Sequence, residues 1–154
     1  MTRTLIVLRH AKSAWPDDVP DFDRPLAGRG RRDAPAAGEW LAEHTGRIGL
    51  VLCSPAKRAR QTWKRVSAEL PREPRVRYEP RIYDADVPTL LDVVREVPRA
   101  VRTVVLVGHN PGLSLLVERL TGATADLRTS SIAVIEAETD WSGAKLRTVE
   151  TPRG

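Results

Sequence analysis

Two of the three histidines in this 154-residue chain follow the same kind of segment. Leu5-Ile6-Val7-Leu8 runs into Arg9-His10, and Val104-Val105-Leu106-Val107 runs into Gly108-His109-Asn110-Pro111-Gly112. Each apolar run is short, rich in branched residues and free of Gly and Pro, the pattern of a buried strand. A strand of this kind delivers Arg9 and His10 to its carboxyl end, where ligands gather in open α/β sheets. A permanently charged guanidinium beside an imidazole suits an anion, and phosphate best. Two histidines delivered in the same way point to one shared site.

Further basic groups follow Leu50-Val51-Leu52-Cys53, a third strand-like run. Ser54-Pro55-Ala56 reads as a helix start, with Ser54 at the cap and Pro55 at the first helical position. Lys57, Arg58 and Arg60 then fall in the first turns, and a helix N-terminus with arginine is an anion trap. Cys53 invites comparison with Cys-x5-Arg phosphatases. The spacing is wrong, with four residues before Arg58 and six before Arg60. Cys53 therefore reads as a small buried residue. Four residues stand as proton-donor candidates: Asp18 and Asp23 in the Ala14–Pro25 loop, and Asp84 and Asp86 in the Ile82–Asp86 loop. The first loop also carries Asp17, Asp21 and three prolines, and its acidic character reads mainly as solvation. His44 reads as an exposed helix-tail histidine.

These groups need a frame. Leu26–Glu43 is helical in pattern, with Ala34, Ala37, Trp40 and Leu41 on one face, and Gly46 and Gly49 end it. The Ser54 helix continues through Leu70 to Pro71. Arg75–Tyr78 is a short strand at an edge, Thr89–Val97 an amphipathic helix, and Leu113–Leu120 another helix closed by Gly122. Ser131–Glu136 and Ala144–Val149 are the last strands. Strands and helices alternate, so an α/β fold with a mostly parallel sheet covered on both faces is expected.

The length suits one domain over residues 1–154. No 18-residue apolar run exists, so no membrane partner is expected, and Met1-Thr2-Arg3 leads at once into a strand, leaving no room for a signal peptide. One cysteine allows no internal disulfide, which agrees with a cytoplasmic location. The net charge is +5, and only four of the 25 basic residues are lysine. The arginines are scattered and no nucleic-acid motif accompanies them, so no nucleic-acid partner is expected. A phosphorylated partner fits the charge.

Four segments, in order, resemble the histidine phosphatase superfamily. Arg9-His10-Ala11-Lys12-Ser13 is similar to its Arg-His-Gly signature, and Arg24-Pro25-Leu26 with Gly30 to its leucine-glycine segment. Ser54-Pro55-Ala56-Lys57-Arg58-Ala59-Arg60-Gln61-Thr62 is similar to its Ser-Pro-x-x-Arg-Ala-x-x-Thr helix start. Val107-Gly108-His109-Asn110-Pro111-Gly112 is similar to its second-histidine loop. Within the superfamily the chain most resembles the short SixA-type phosphohistidine phosphatases. The resemblance implies a phosphoglycerate mutase-like three-layer α/β/α sandwich, with His10 as nucleophile and Arg9, Arg58 and His109 binding the phosphoryl group. Ser13 joins them as a phosphate-binding candidate. Ala11 replaces the usual glycine and Pro16 replaces a phosphate-contacting asparagine. No glutamate takes the mutases' proton-donor position, and the inserts that cap the mutase pocket are missing.

The implied chemistry is a neutral His10 attacking phosphorus, with nearby arginines lowering its pKa, and water then hydrolysing the phosphohistidine intermediate. No metal and no cofactor are expected. An imidazole leaving group protonated at its free nitrogen needs less acid help than an alkoxide does. This, with an open site, favours protein phosphohistidine as substrate. A phosphatase of small phosphate esters, such as a sugar phosphate or nucleotide, is the alternative, and a non-catalytic phosphate-binding module is the alternative of another class. The sequence leaves oligomeric state open.

Overall fold

The computed structural model describes residues 2–154. Six strands build one sheet: β1 (Thr2–Arg9), β2 (Leu50–Cys53), β3 (Val76–Tyr78), β4 (Thr103–Gly108), β5 (Ile132–Glu138) and β6 (Lys145–Glu150). Between them lie α1 (Gly28–His44), α2 (Lys57–Ser67), α3 (Val87–Arg95) and α4 (Gly112–Thr121), with single 3₁₀ turns at Asp21–Asp23 and Pro80–Ile82. The sheet order is β3-β2-β4-β1-β5-β6. The first four strands are mutually parallel, and β5 pairs antiparallel with both β1 and β6. Only β5 therefore runs against the others. The sheet is mostly parallel, as expected, but mixed. The reversal brings Ser130 and Ser131, which precede β5, to the carboxyl ends of β1 and β4.

Side-chain alternation along β1 and β4 feeds two cores. Leu5, Val7, Val104 and Leu106 face α3 and α4, meeting Leu90, Val94, Leu113 and Val117. Ile6, Leu8, Val105 and Val107 face α1 and α2, meeting Ala37, Leu41, Trp63 and Val66. Each such side chain, fully buried, contributes roughly 1.5–3 kcal/mol. The result is the three-layer α/β/α sandwich. A Cβ on Gly38 would collide with the Val66 carbonyl, which is how closely α1 approaches α2.

Two expected helix starts shift for reasons that concern the site. The helix expected from Leu26 starts at Gly28, because Leu26 bridges Ser13 and gives its N–H to Gln61 Oε1 at 2.8 Å. The helix expected from Ser54 starts at Lys57. Ser54 Oγ accepts from Ala56 N–H at 3.2 Å and Ala56 stays non-helical (ψ 140°), so Ser54 is not the cap. That helix also ends at Ser67 rather than Leu70.

The last residues fold back along α1. Arg153 Nη1 donates to Asp33 Oδ2 (3.0 Å), the Thr129 carbonyl (2.9 Å) and Ser130 Oγ (2.9 Å). Among the described residues no helix is long and apolar enough to cross a membrane.

Candidate active site

His10 lies just past β1, where several elements fix its backbone. Its N–H donates to the Gly108 carbonyl at 3.0 Å, and Ser130 N–H donates to the Arg9 and His10 carbonyls, each at 3.1 Å. Ala11 N–H donates to Thr62 Oγ1 at 2.9 Å, whose own hydroxyl donates to the Arg58 carbonyl at 2.7 Å. The following residues pair with the segment before α1: Ala14 N–H to the Pro25 carbonyl at 2.8 Å and Ala27 N–H to the Lys12 carbonyl at 2.9 Å. Gly30 lies against that same Lys12 carbonyl, leaving no room for a Cβ. The residues Leu26, Gly30, Gln61 and Thr62 thus hold the loop that presents His10.

His10 Nδ1 lies 2.7 Å from the Ala11 carbonyl oxygen. A carbonyl only accepts, so Nδ1 carries the hydrogen and the Nε2 lone pair is free. The residue is 7% exposed. Its pKa is lowered to about 3, chiefly because burial penalises the charged ring. The Ala11 hydrogen bond opposes this, and His109, Arg58 and Arg9 add smaller like-charge contributions. Burial, rather than the arginines the sequence points to, is the main cause.

The His109 ring is centred 5.2 Å from that of His10. Burial first, then Arg58, lowers its pKa to about 4. Its Nε2 lies 2.7 Å from Ser54 Oγ, while its Nδ1 is buried with no partner among the described residues. Arg9 reaches the Leu127 carbonyl through Nη1 at 3.0 Å, and its buried Nε has no partner among the described residues. Arg58 donates to Asp21 twice, to the carbonyl at 2.6 Å and to Oδ2 at 3.0 Å.

A cavity of about 240 Å³ opens here, lined by Asp21, Arg58, Tyr83, Asp84, His109 and the start of α4. Arg9 lines an adjoining groove of about 530 Å³ with Asn110, Pro111 and Asp126. His10 lines neither space, but its ring contact with His109 and the charges of Arg58 and Arg9 acting on it bring His10, His109, Arg58 and Arg9 together. Ser13 is close by in the chain, but its Oγ accepts from Arg24 Nη2 at 2.5 Å. Of the acids named from sequence, Asp84 lines the cavity. Asp86 caps α3, accepting from Thr89 N–H at 3.0 Å, and Asp18 and Asp23 are not among the lining residues.

In sequence Asp21 belongs to a loop whose composition points to solvation, yet in the structure it is central to the site. Besides Arg58 it takes the Tyr83 hydroxyl on Oδ2 at 2.6 Å and Arg24 Nη1 on Oδ1 at 2.9 Å. Tyr83, then Arg24 and Arg58, hold its carboxyl well below the usual carboxylate range. The Trp15 ring stacks on the Arg24 guanidinium at 3.2 Å. The one available signal was the position of Asp21 three residues before Arg24-Pro25-Leu26.

Cys53 is buried and its thiol is pushed up to about 12 by desolvation, so it supplies no thiolate. A hollow of about 310 Å³ between the far ends of α1 and α2 is lined by Leu41, Thr45, Ile48 and Leu70, and the Thr45 hydroxyl is committed to the Leu41 carbonyl at 2.7 Å. Among the described residues no three His, Cys, Asp or Glu side chains gather as metal ligands.

Comparison with known proteins gives the family and the fold. An uncharacterized protein of Mycobacterium tuberculosis is 38% identical over 146 residues, covering 88% of this chain and 90% of that one. The SixA structure from Nakamurella multipartitia superposes with a TM-score of 0.87 at 31% identity, covering 99% and 97% of the two chains. The protein histidine phosphatase SixA complexed with tungstate gives 0.88 at 25%, covering 97% of each. The fold is phosphoglycerate mutase-like, as the resemblance implied. The family model for branch 1 of the histidine phosphatase superfamily matches residues 5–90, from β1 into α3, taking in His10, Arg58 and the loop that carries Asp21. With that match and these relatives, the chain belongs to the histidine phosphatase superfamily, branch 1.

Proposed function

We propose that this phosphatase works through a phosphorylated His10 and takes protein phosphohistidine as its substrate. The observation that carries the reading is the imidazole of His10. Its Nδ1–H is anchored on the Ala11 carbonyl, so Nε2 is the free nitrogen, and burial keeps the ring neutral at pH 7. Nε2 attacks phosphorus, a new N–P bond forms, and the substrate's N–P bond breaks. The departing imidazole leaves neutral, because its free nitrogen was protonated beforehand. Water then attacks the phosphoryl group, the His10 N–P bond breaks, and inorganic phosphate leaves. Charge spreads over the equatorial oxygens during both steps. Arg58, Arg9 and the unpartnered Nδ1 of His109 are the donors for it, with Arg58 exchanging Asp21 for the phosphoryl group.

The state of the acids supports a phosphoramidate. Asp21, the carboxylate most engaged in the site, is held ionised by Tyr83, Arg24 and Arg58 and so carries no proton at neutral pH. An imidazole leaving group tolerates this, and an alkoxide does not. The SixA neighbours point the same way.

The test compares a phosphohistidine-bearing phosphotransfer protein with p-nitrophenyl phosphate, using wild type and His10→Ala. Loss of phosphohistidine that the substitution abolishes is the expected result. Turnover of the aryl ester alone would transfer the reading to small phosphate esters, with Asp84 the lining acid for their leaving group. Turnover of neither would make the protein a phosphate-binding module.

A further inference from the structure

Ser54 follows β2 directly and is fully buried. Its hydroxyl has two neighbours: Ala56 N–H at 3.2 Å and His109 Nε2 at 2.7 Å. The Cys53 thiol bonds to the Ser54 carbonyl instead, leaving the hydroxyl alone. A hydroxyl has a single hydrogen and two lone pairs. Toward Ala56 it can only accept, because a backbone N–H only donates. Its hydrogen therefore has one acceptor within reach, His109 Nε2. The reverse arrangement, with Nε2–H donating to Oγ, would strand the hydroxyl hydrogen without an acceptor in the interior, a costly state.

We propose that Ser54 is a positioning residue that sets the tautomer of His109, fixing its hydrogen on Nδ1. That nitrogen is buried and unpartnered, on a ring 5.2 Å from the His10 ring. The hydrogen stored there is the donor that meets the phosphoryl oxygens. Its consequence for catalysis rests on the phosphatase reading above; the tautomer itself does not.

The device also makes charge on His109 unnecessary. A neutral imidazole donates through Nδ1–H as long as Nε2 accepts. A positively charged ring among Arg9, Arg24 and Arg58 would be repelled. The two histidines of the site are thus matched but opposite in use. His10 turns its hydrogen away onto a carbonyl and offers a lone pair, whereas His109 turns its lone pair away onto a hydroxyl and offers a hydrogen.

The test is ¹⁵N NMR of the imidazoles in the intact wild-type protein at pH 7, alongside Ser54→Ala and Ser54→Thr. The expected wild-type spectrum shows His109 Nδ1 protonated and Nε2 unprotonated. A protonated Nε2 in wild type overturns the proposal whether or not the protein is an active phosphatase. In Ser54→Ala the ring is expected to move toward the Nε2–H form, with kcat falling at least tenfold and KM changing less. This is a fraction of the roughly 10²–10³ typical for removing an oxyanion donor outright. Ser54→Thr retains the hydroxyl and is expected to retain the wild-type tautomer. An unchanged tautomer in a folded Ser54→Ala would also overturn the proposal. If that variant does not fold, the wild-type spectrum decides. Failure of the phosphatase reading shows separately, as absent turnover in a protein whose His109 still carries its hydrogen on Nδ1.

Discussion

Asp21 occupies Arg58 from two sides, with its carbonyl oxygen 2.6 Å from Nη1 and its carboxylate Oδ2 3.0 Å from Nη2. The guanidinium fork that would clasp two phosphoryl oxygens is thus already filled by one residue of the 3₁₀ turn. An incoming oxyanion competes with a carboxylate that is half exposed. Such pairs are weak, about 0.2–1 kcal/mol. We therefore expect Asp21→Asn to tighten binding of phosphate or tungstate by on the order of two- to fivefold. Inhibition constants with both oxyanions measure this. Weaker binding would mean that Asp21 serves to aim Arg58.

The acid side of the stability curve follows from the two buried histidines. Both have native pKa values, about 3 and about 4, below the ordinary value of 6.5. Between those limits the unfolded chain binds protons that the native chain does not, so stability rises with pH there. We expect full stabilisation above pH 6.5 and a steady loss as the pH falls toward 4. Urea midpoints measured across that range give the slope. It should flatten in a His10→Asn, His109→Asn double variant.

Arg3 sits at the opposite end of β1, almost fully buried and, among the described residues, without a carboxylate partner. It donates to the Val101 and Pro98 carbonyls at 3.0 Å and to the Thr139 carbonyl at 3.1 Å, with its guanidinium 4.3 Å from the Trp141 ring. These bonds tie the segment after α3 to the end of β5. Arg3→Met keeps the stem but leaves those carbonyls unmet, and we expect a loss of about 3 kcal/mol. Chemical denaturation tests it, and kcat is expected to stay at the wild-type level.

Asp84 and Asp86 should separate cleanly. Asp86→Ala removes the α3 cap and is expected to lower the melting temperature with activity unchanged. Asp84→Asn alters the cavity wall. We expect it to slow hydrolysis of an alkyl phosphate more than that of phosphohistidine. Paired melting and turnover assays on the two variants check both statements.

Gly30→Ala probes the loop that presents His10. The new methyl would meet the Lys12 carbonyl, and backbone has little room to yield. Small misplacements of a reacting group can cost about 10² in rate. We expect kcat to fall more than tenfold in protein that still folds, as circular dichroism would show.

Much of the frame was legible because strands buried on both faces leave continuous apolar runs. Leu5–Leu8 and Val104–Val107 carry that signal, and the histidines follow it directly. The antiparallel course of β5 was not legible, since direction leaves no mark in side-chain pattern. Asp21 was missed for a related reason. Its partners Arg24, Arg58 and Tyr83 include two that lie 37 and 62 residues away, so its local composition looks like any solvated acidic loop. Ser54 read as a helix cap because Ser-Pro is a frequent helix start. Its hydroxyl is instead committed to a histidine 55 residues later.

The reversal of β5 also bears on the protein's synthesis. His10 emerges early, but the N–H that holds its carbonyl belongs to Ser130, and the carbonyl that takes its own N–H belongs to Gly108. Arg153 then braces Thr129 and Ser130 against Asp33. A nascent chain halted just before Ser130 has Gln61, Thr62 and Gly108 to hold the His10 loop but lacks the N–H that anchors the Arg9 and His10 carbonyls. Under the phosphatase reading, full support of His10 is thereby expected only once the residues leading into β5 have docked.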